Sequence, residues 1–110
     1  MTFRLEIPDK KLSEAVTLLA EKLDPRAIIL FGSRARGTNR PDSDYDLLVI
    51  VPDEASSVRQ DSDLAYRALR GTGIAADVLV WPRTRFEDRK HVVASLPATV
   101  VREGRLLHAA

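Results

Sequence analysis

Two aspartates, Asp44 and Asp46, stand at the start of an otherwise apolar run, DYDLLVIV at residues 44–51. If this run is a β-strand, residues two apart point to the same side and lie about 6.5–7 Å apart along the chain. Two carboxylates held that close repel each other, and one tends to stay protonated unless a cation lies between them. Mg²⁺ is a hard cation that takes carboxylate and phosphate oxygens. The pair therefore indicates a divalent metal site.

A third carboxylate interrupts another apolar run. Asp77 is the only acidic residue of IAADVLVW, residues 74–81. If this run forms a strand beside the one that carries Asp44 and Asp46, the three side chains are expected to form one cluster. Three carboxylates can hold two metal ions about 3.5–4 Å apart, which is the arrangement that stabilises the attacking and leaving oxygens in phosphoryl transfer.

The loop that precedes the aspartate pair contains residues that suit phosphate binding. Gly32 follows the apolar run AIILF at residues 27–31, and glycine lets the backbone turn sharply and a phosphate approach closely. Ser33 is expected to begin a short helix, where its hydroxyl and the free N–H groups can hold an anion. Arg34 and Arg36 are near enough to neutralise a triphosphate, because arginine binds phosphate in a bidentate manner.

Each of these features has a simpler structural explanation when it is taken alone. The Gly32-Ser33 pair can be an ordinary turn followed by a helix N-cap. Asp44 can cap a loop, and Asp77 can be a buried ion-pair partner of an arginine. The combination of Gly-Ser, ten residues, Asp, any residue and Asp arises by chance in about one chain of this length per thousand. The combination therefore favours a functional site.

The same residues carry a resemblance to a known family. GSRARG at residues 32–37, followed by SDYDLLVIV at residues 43–51, resembles the Gly-Ser-x10-Asp-x-Asp signature of the DNA polymerase β-like nucleotidyltransferase superfamily. The short chain resembles its minimal nucleotidyltransferase (MNT) branch. The resemblance implies ATP or another nucleoside triphosphate as substrate and two Mg²⁺ ions as cofactors. The implied catalytic metal ligands are Asp44, Asp46 and Asp77, and the implied nucleotide-binding residues are Gly32, Ser33, Arg34, Arg36 and Ser43.

The resemblance also implies a reaction and a partner. A hydroxyl attacks the α-phosphate, a nucleoside monophosphate such as AMP is transferred, and pyrophosphate leaves. Members of the MNT branch often pair with a HEPN-type protein, a small helical toxin or substrate-binding subunit, so an antitoxin-like enzyme acting on a partner protein is implied. A catalytically silent, nucleotide-binding antitoxin that acts by complex formation is the alternative. Transfer to a small molecule is a third interpretation, for which a homo-oligomer could build the acceptor pocket between subunits.

Length and composition bound these interpretations. The chain has 110 residues, 45% hydrophobic and 30% charged, which is typical of a single globular domain spanning residues 1–110. The net charge of +1, with no aromatic residues interleaved among the loop arginines, argues against nucleic-acid binding. The sequence shows no cysteine, no secretory leader and no apolar run of the roughly 20 residues that span a bilayer. We therefore expect a cytoplasmic protein that does not contact a membrane.

The rest of the pattern predicts the elements that position the candidate site. Asp9 is expected to cap a first helix, whose apolar residues recur at helical spacing up to Leu23. The three apolar runs are expected to be buried strands. Further predicted elements are a strand at residues 3–7, a helix at residues 53–70, two helical segments between residues 84 and 103 that are broken near Pro97, and a last strand at residues 105–109. This order predicts an α/β (α+β) fold with a small central mixed sheet flanked by helices.

Overall fold

A computed structural model describes residues 2–56 and 60–110 of the chain. In chain order the elements are β1 (Phe3–Arg4), α1 (Lys10–Leu23), β2 (Ala27–Phe31), α2 (Gly32–Arg36), β3 (Tyr45–Val51), α3 (Ser62–Leu69), β4 (Ala76–Pro82), α4 (Arg83–Arg89), α5 (Leu96–Glu103) and β5 (Arg105–Ala109). None of the described helices is both long enough and apolar enough to cross a membrane.

The five strands form one sheet in the order β1-β5-β2-β3-β4. β2 pairs antiparallel with β3 and with β5, and β5 pairs antiparallel with β1. β3 and β4 run parallel. The sheet is therefore mixed, with helices packed against it, and the predicted fold class is confirmed. β3 has a strand on either side, which agrees with the buried apolar run from Leu47 to Val51.

Helix α1 forms because the sequence supplies a start signal and one apolar face. The side chain of Asp9 accepts hydrogen bonds from the backbone N–H groups of Lys11 (3.0 Å) and Leu12 (3.2 Å), which a helix start otherwise leaves unpaired. The buried residues of the helix are Leu12, Ala15, Val16, Leu19 and Leu23. The helix ends at Leu23 because Asp24 turns into the left-handed region, with φ 47°.

Side chains alternate along β3, so the sheet has two different faces. We call the α1 face the side that carries Leu47 and Val49, which lie in one apolar cluster with residues of α1 and α3. We call the α4 face the side that carries Leu48 and Ile50, which pack with Phe86 of α4 in a second, smaller cluster. The candidate site belongs to the second of these faces.

The prediction of a helix over residues 53–70 is wrong in its first part, because α3 begins at Ser62 with Asp61 as its N-cap. The carboxylate of Asp53 does not open a helix but accepts hydrogen bonds from the backbone N–H (2.8 Å) and the hydroxyl of Thr84, in the first turn of α4. Asp53 thus contacts a distant segment of the chain and does not form the first turn of a helix, which the acidic residue suggested. Residues 57–59, with Val58 of the predicted apolar stripe, lie outside the described residues.

The other predicted elements are present with shifted ends. β1 covers Phe3–Arg4 rather than residues 3–7, and β4 covers Ala76–Pro82 rather than residues 74–81. The break between the last two helices precedes α5, and Pro97 lies inside the first turn of α5, where proline is tolerated because its missing N–H is not needed.

Candidate active site

Strands β3 and β4 bring two of the three candidate carboxylates side by side. The strands are parallel, and Asp46 and Asp77 are direct partners in their register. Paired residues of neighbouring strands point to the same side of a sheet, so both carboxylates lie on the α4 face. Asp46 is partly buried, whereas Asp77 is exposed. Asp44 is also exposed and lies just before β3.

The charges of these carboxylates act on one another. Burial raises the pKa of the Asp46 carboxyl, and the charges of Asp77 and then Asp44 raise this pKa further. The guanidinium of Arg36 acts in the opposite direction. Asp46 is therefore the centre of the like-charge crowding that the spacing predicted, and a cation placed beside it would favour its ionised form.

The three carboxylates are neighbours without forming a convergent ligand set. In the described part of the chain, no group of three His, Cys, Asp or Glu side chains is arranged to hold a metal ion. The three predicted ligands therefore interact through their charges but do not point at a common centre. Like charges repel each other unless a cation neutralises them. The donor chemistry nevertheless fits Mg²⁺, since all three side chains offer the carboxylate oxygens that this hard cation prefers.

Gly32 lies against Asp46 because β2 runs antiparallel to β3 and ends with Phe31 paired to Asp46. Its φ of +73° is in the left-handed region that favours glycine. A Cβ built at Gly32 would lie 3.0 Å from Cγ of Asp46 and closer still to Oδ2. The backbone conformation therefore favours glycine at this position, and a larger residue would displace the Asp46 carboxylate.

Two further predicted residues belong to this side of the molecule. Ser33 follows Gly32 in α2 and is partly buried. Arg36 is close enough to Asp46 for its charge to lower the pKa of that carboxyl, and its Nη1 donates to Oε2 of Glu103 at 3.3 Å. The side chain of Arg36 remains 45% exposed, so its guanidinium is accessible from solvent.

Arg34 and Ser43 are engaged elsewhere. Arg34 donates from Nε to the carbonyl of Ser43 (2.9 Å) and from Nη2 to the carbonyl of Pro41 (3.2 Å), and its guanidinium carbon lies 4.1 Å from the centroid of the Tyr45 ring. The hydroxyl of Ser43 accepts a hydrogen bond from the backbone N–H of Arg40 at 2.9 Å. Tyr45 packs against the cluster of the α1 face. The structure therefore does not bring the Arg34 guanidinium or the Ser43 hydroxyl to the carboxylates.

Sequence reasoning missed the partners of Tyr45 and Arg36. The Tyr45 hydroxyl donates a hydrogen bond to Asp9, which lowers the pKa of Asp9, while burial and then this bond raise the pKa of Tyr45. The alternation of Asp44, Tyr45 and Asp46 could have indicated that the tyrosine ring lies on the face opposite to the two carboxylates and has its own partners there. Glu103 lies 67 residues from Arg36 and left no local signal.

The chain matches the family model described as nucleotidyltransferase domain over residues 12–106. No curated protein matches it significantly.

Solved structures share the fold. The chain is similar to a toxin-antitoxin crystallised with AMP-PNP, with a TM-score of 0.58 and 23% identity over 92% of this chain and 73% of the other. It is similar to a Sulfolobus solfataricus protein assigned to the nucleotidyltransferases, with a TM-score of 0.51 and 20% identity over 93% and 89% of the two chains. It is also similar to a mutant of the toxin-antitoxin MntA-HpeT, with a TM-score of 0.53 and 25% identity over 93% and 72%.

Proposed function

Because the chain belongs to the nucleotidyltransferase domain family, we propose that its residues 1–110 act as one domain that transfers AMP from ATP to a hydroxyl group. The family match confirms the resemblance that the Gly-Ser and Asp-x-Asp residues carried in the sequence. The observation that carries the proposal is the register of Asp46 with Asp77 beside a glycine that leaves room at the Asp46 carboxylate. Partly burying one of three mutually repelling carboxylates is unfavourable for folding, and a metal-dependent reaction gives a reason for it.

We assign roles to the residues that face this site. Asp44, Asp46 and Asp77 would hold Mg²⁺, which when bound neutralises phosphate charge and polarises the phosphate that is attacked. Gly32 lets a phosphate approach the carboxylates, and Ser33 with the accessible Arg36 guanidinium donates hydrogen bonds to phosphate oxygens.

In this proposal the Asp77 carboxylate, which is exposed, would also accept the proton of the incoming hydroxyl. These side chains act by positioning the reactants and by balancing charge, and none of them forms a covalent intermediate.

We further propose that the hydroxyl belongs to a partner protein, a small helical HEPN-type toxin, and that this chain is the antitoxin of the pair. The similarity to MntA-HpeT, at 25% identity, supports this assignment and the MNT branch. The site itself supports it too, because Asp44 and Asp77 lie exposed at strand ends, where the surface of another protein can reach them.

The test is to purify the chain with the product of its neighbouring gene, incubate the pair with ATP and Mg²⁺, and measure the intact mass of the partner. We expect the partner to gain the mass of one adenylyl group. Asp44→Asn and Asp46→Asn should abolish this gain while the fold persists. Asp46→Asn should also raise the melting temperature without metal, because it removes the carboxylate whose pKa is raised by burial and then by the neighbouring charges.

Asp42→Asn is the matched control, since Asp42 is an exposed aspartate of the same loop and should be dispensable. A tight complex with no mass gain would favour the catalytically silent antitoxin instead. A full mass gain in both Asp44→Asn and Asp46→Asn would overturn the assigned metal ligands.

A further inference from the structure

We propose that Arg34 is a positioning residue, which fixes the loop before Asp44 from the α1 face and thereby holds Asp44 beside Asp46 for metal binding. This inference rests on the proposed function, because it deepens the account of that site. It gives Arg34 a role different from the phosphate contact that its place after Gly32-Ser33 suggested.

The hydrogen bonds of Arg34 close the loop that precedes the aspartate pair. Its Nε and Nη2 donate to the carbonyls of Ser43 and Pro41, at 2.9 Å and 3.2 Å. These carbonyls precede Asp44 by one and three residues in the sequence. A planar guanidinium that binds two carbonyls restricts the backbone between them far more than one point contact would. The orientation of the peptide that leads into Asp44 is therefore set by Arg34.

A second contact anchors Arg34 to the strand that carries Asp46. The guanidinium stacks on the ring of Tyr45, 4.1 Å from its centroid, and Tyr45 lies between the two aspartates. The Tyr45 hydroxyl donates to Asp9, and Asp9 also caps α1 through the N–H groups of Lys11 and Leu12. A continuous series of contacts, through Asp9, Tyr45 and Arg34, thus joins the start of α1 to the loop that ends at Asp44.

These contacts place the Arg34 guanidinium on the face of the sheet opposite the carboxylates. Successive residues of a strand point to opposite faces, so the Tyr45 ring and the Asp46 carboxylate lie on opposite sides of the sheet. Tyr45 packs with the cluster of the α1 face, and Arg34 stacks on that ring. Arg34 consequently acts through backbone geometry, while Arg36 is the arginine whose charge reaches Asp46.

Arg34→Lys tests the role of the two guanidinium hydrogen bonds, since lysine keeps the positive charge but cannot bind two carbonyls in one plane. The probe is Mn²⁺ alone, titrated into the purified chain and followed by electron paramagnetic resonance. We expect Arg34→Lys to weaken Mn²⁺ binding about tenfold, the usual loss when a residue that orients metal ligands is changed. Affinity for ATP in the presence of EDTA should remain that of the parent, because Arg34 does not touch the nucleotide.

Arg85→Lys is the matched control. Arg85 stacks on Trp81 with the same 4.1 Å separation, but it belongs to α4, which follows the end of β4, whereas Asp77 lies at the start of that strand. We expect its Mn²⁺ affinity and its transfer activity to equal those of the parent. If Arg34→Lys does not fold, Tyr45→Phe takes its place, because it removes only the hydroxyl bond to Asp9 and should weaken Mn²⁺ binding by a smaller factor.

The outcomes separate this inference from the proposed function. Unchanged Mn²⁺ affinity in Arg34→Lys, with only a lower melting temperature, would assign Arg34 a merely structural role and overturn the inference. Weaker metal-free ATP binding with unchanged Mn²⁺ affinity would make Arg34 a phosphate contact and overturn it as well. A parent chain that binds Mn²⁺ yet modifies no partner would sink the proposed function, while the affinities still decide the role of Arg34. A parent chain that binds no Mn²⁺ overturns both.

Discussion

The two faces of the sheet use the same strands for opposite purposes. On the α1 face, α1 and α3 complete a large cluster whose members are buried. On the α4 face, the smaller cluster around Leu48 and Ile50 leaves Leu79 of β4 40% exposed and Asp77 accessible. Tyr45 and Asp46 are neighbours in sequence, yet one packs in the first cluster and the other meets Asp77.

This difference teaches how a small domain separates stability from chemistry. Alternation along a strand sends one set of side chains into the core and the next set to the site, with no extra elements needed. Substitutions of the carboxylates on the α4 face should therefore affect activity, and substitutions of the buried apolar residues on the α1 face should affect stability.

Outside the carboxylates themselves, the largest effect should come from Gly32→Ala, on the activity side of the comparison. We expect transfer to fall about 100-fold, because a displaced reacting group commonly costs that factor, and the new Cβ would force the Asp46 carboxylate away. Gly37→Ala is the control, since Gly37 has a similar φ of +76° but nothing within 4 Å of a built Cβ. Both variants strain the backbone, so transfer rates measured on folded protein isolate the carboxylate. Equal rates would show that the close approach of Gly32 to Asp46 has no bearing on activity.

The next largest effect is a difference in stability between substitutions on the two faces. Leu19 of α1 is 0% exposed and Leu79 is 40% exposed. We expect Leu19→Ala to lower the free energy of unfolding by about 2–5 kcal/mol, because it leaves a cavity in the core. Leu79→Ala should lower it by about 1 kcal/mol or less. Urea denaturation measures both, and similar losses in the two variants would contradict the division between the faces.

The smallest expected effect is the pH dependence of stability that comes from His108, in the strand β5 at the edge of the α1 face. Burial and the charge of Arg4 lower the pKa of His108, whose Nδ1 accepts a hydrogen bond from Nε of Arg4 at 3.0 Å. The unfolded chain therefore binds a proton more readily than the folded one, so this contribution to stability is present above pH 6.5 and is lost as the pH falls below it. The slope from this group is at most about 1.4 kcal/mol per pH unit.

Melting temperatures between pH 7.5 and about 5 measure this dependence. His108→Asn should flatten the curve in that range, because asparagine keeps an acceptor but does not titrate. His91→Asn, at an exposed histidine, should keep the slope of the parent. A slope that survives in His108→Asn would assign the pH dependence to other groups.

Much of the fold was readable in the sequence because its signals are local. Asp9 as a cap and the apolar spacing up to Leu23 define α1 within a few turns. The continuous apolar runs define β2, β3 and β4 to within two residues at either end. The helix expected from residue 53 failed because Asp53 binds Thr84, a residue that is distant in the chain, and local propensity cannot register such a contact.

The candidate site divides in the same way. The residue types and spacing of Gly32, Asp44 and Asp46, with the lone acid of the next apolar run, predicted that carboxylates would meet near a glycine turn. The sequence could not show which face the Arg34 side chain turns to, because a long arginine side chain next to a strand end can reach either face. Its two carbonyl bonds and the ring of Tyr45 decide that question only once the strand is in place.

The sequence by itself determined most of the elements, their apolar sides and the family, because these depend on the order and spacing of neighbouring residues. Only the tertiary structure decided that Asp46 pairs with Asp77, that Gly32 touches Asp46, and that the two arginines of α2 serve opposite faces. The physical reason is that strand register and side-chain partners are set by packing and charge between segments far apart in the chain. The sum of those interactions selects one arrangement from several that the local pattern allows.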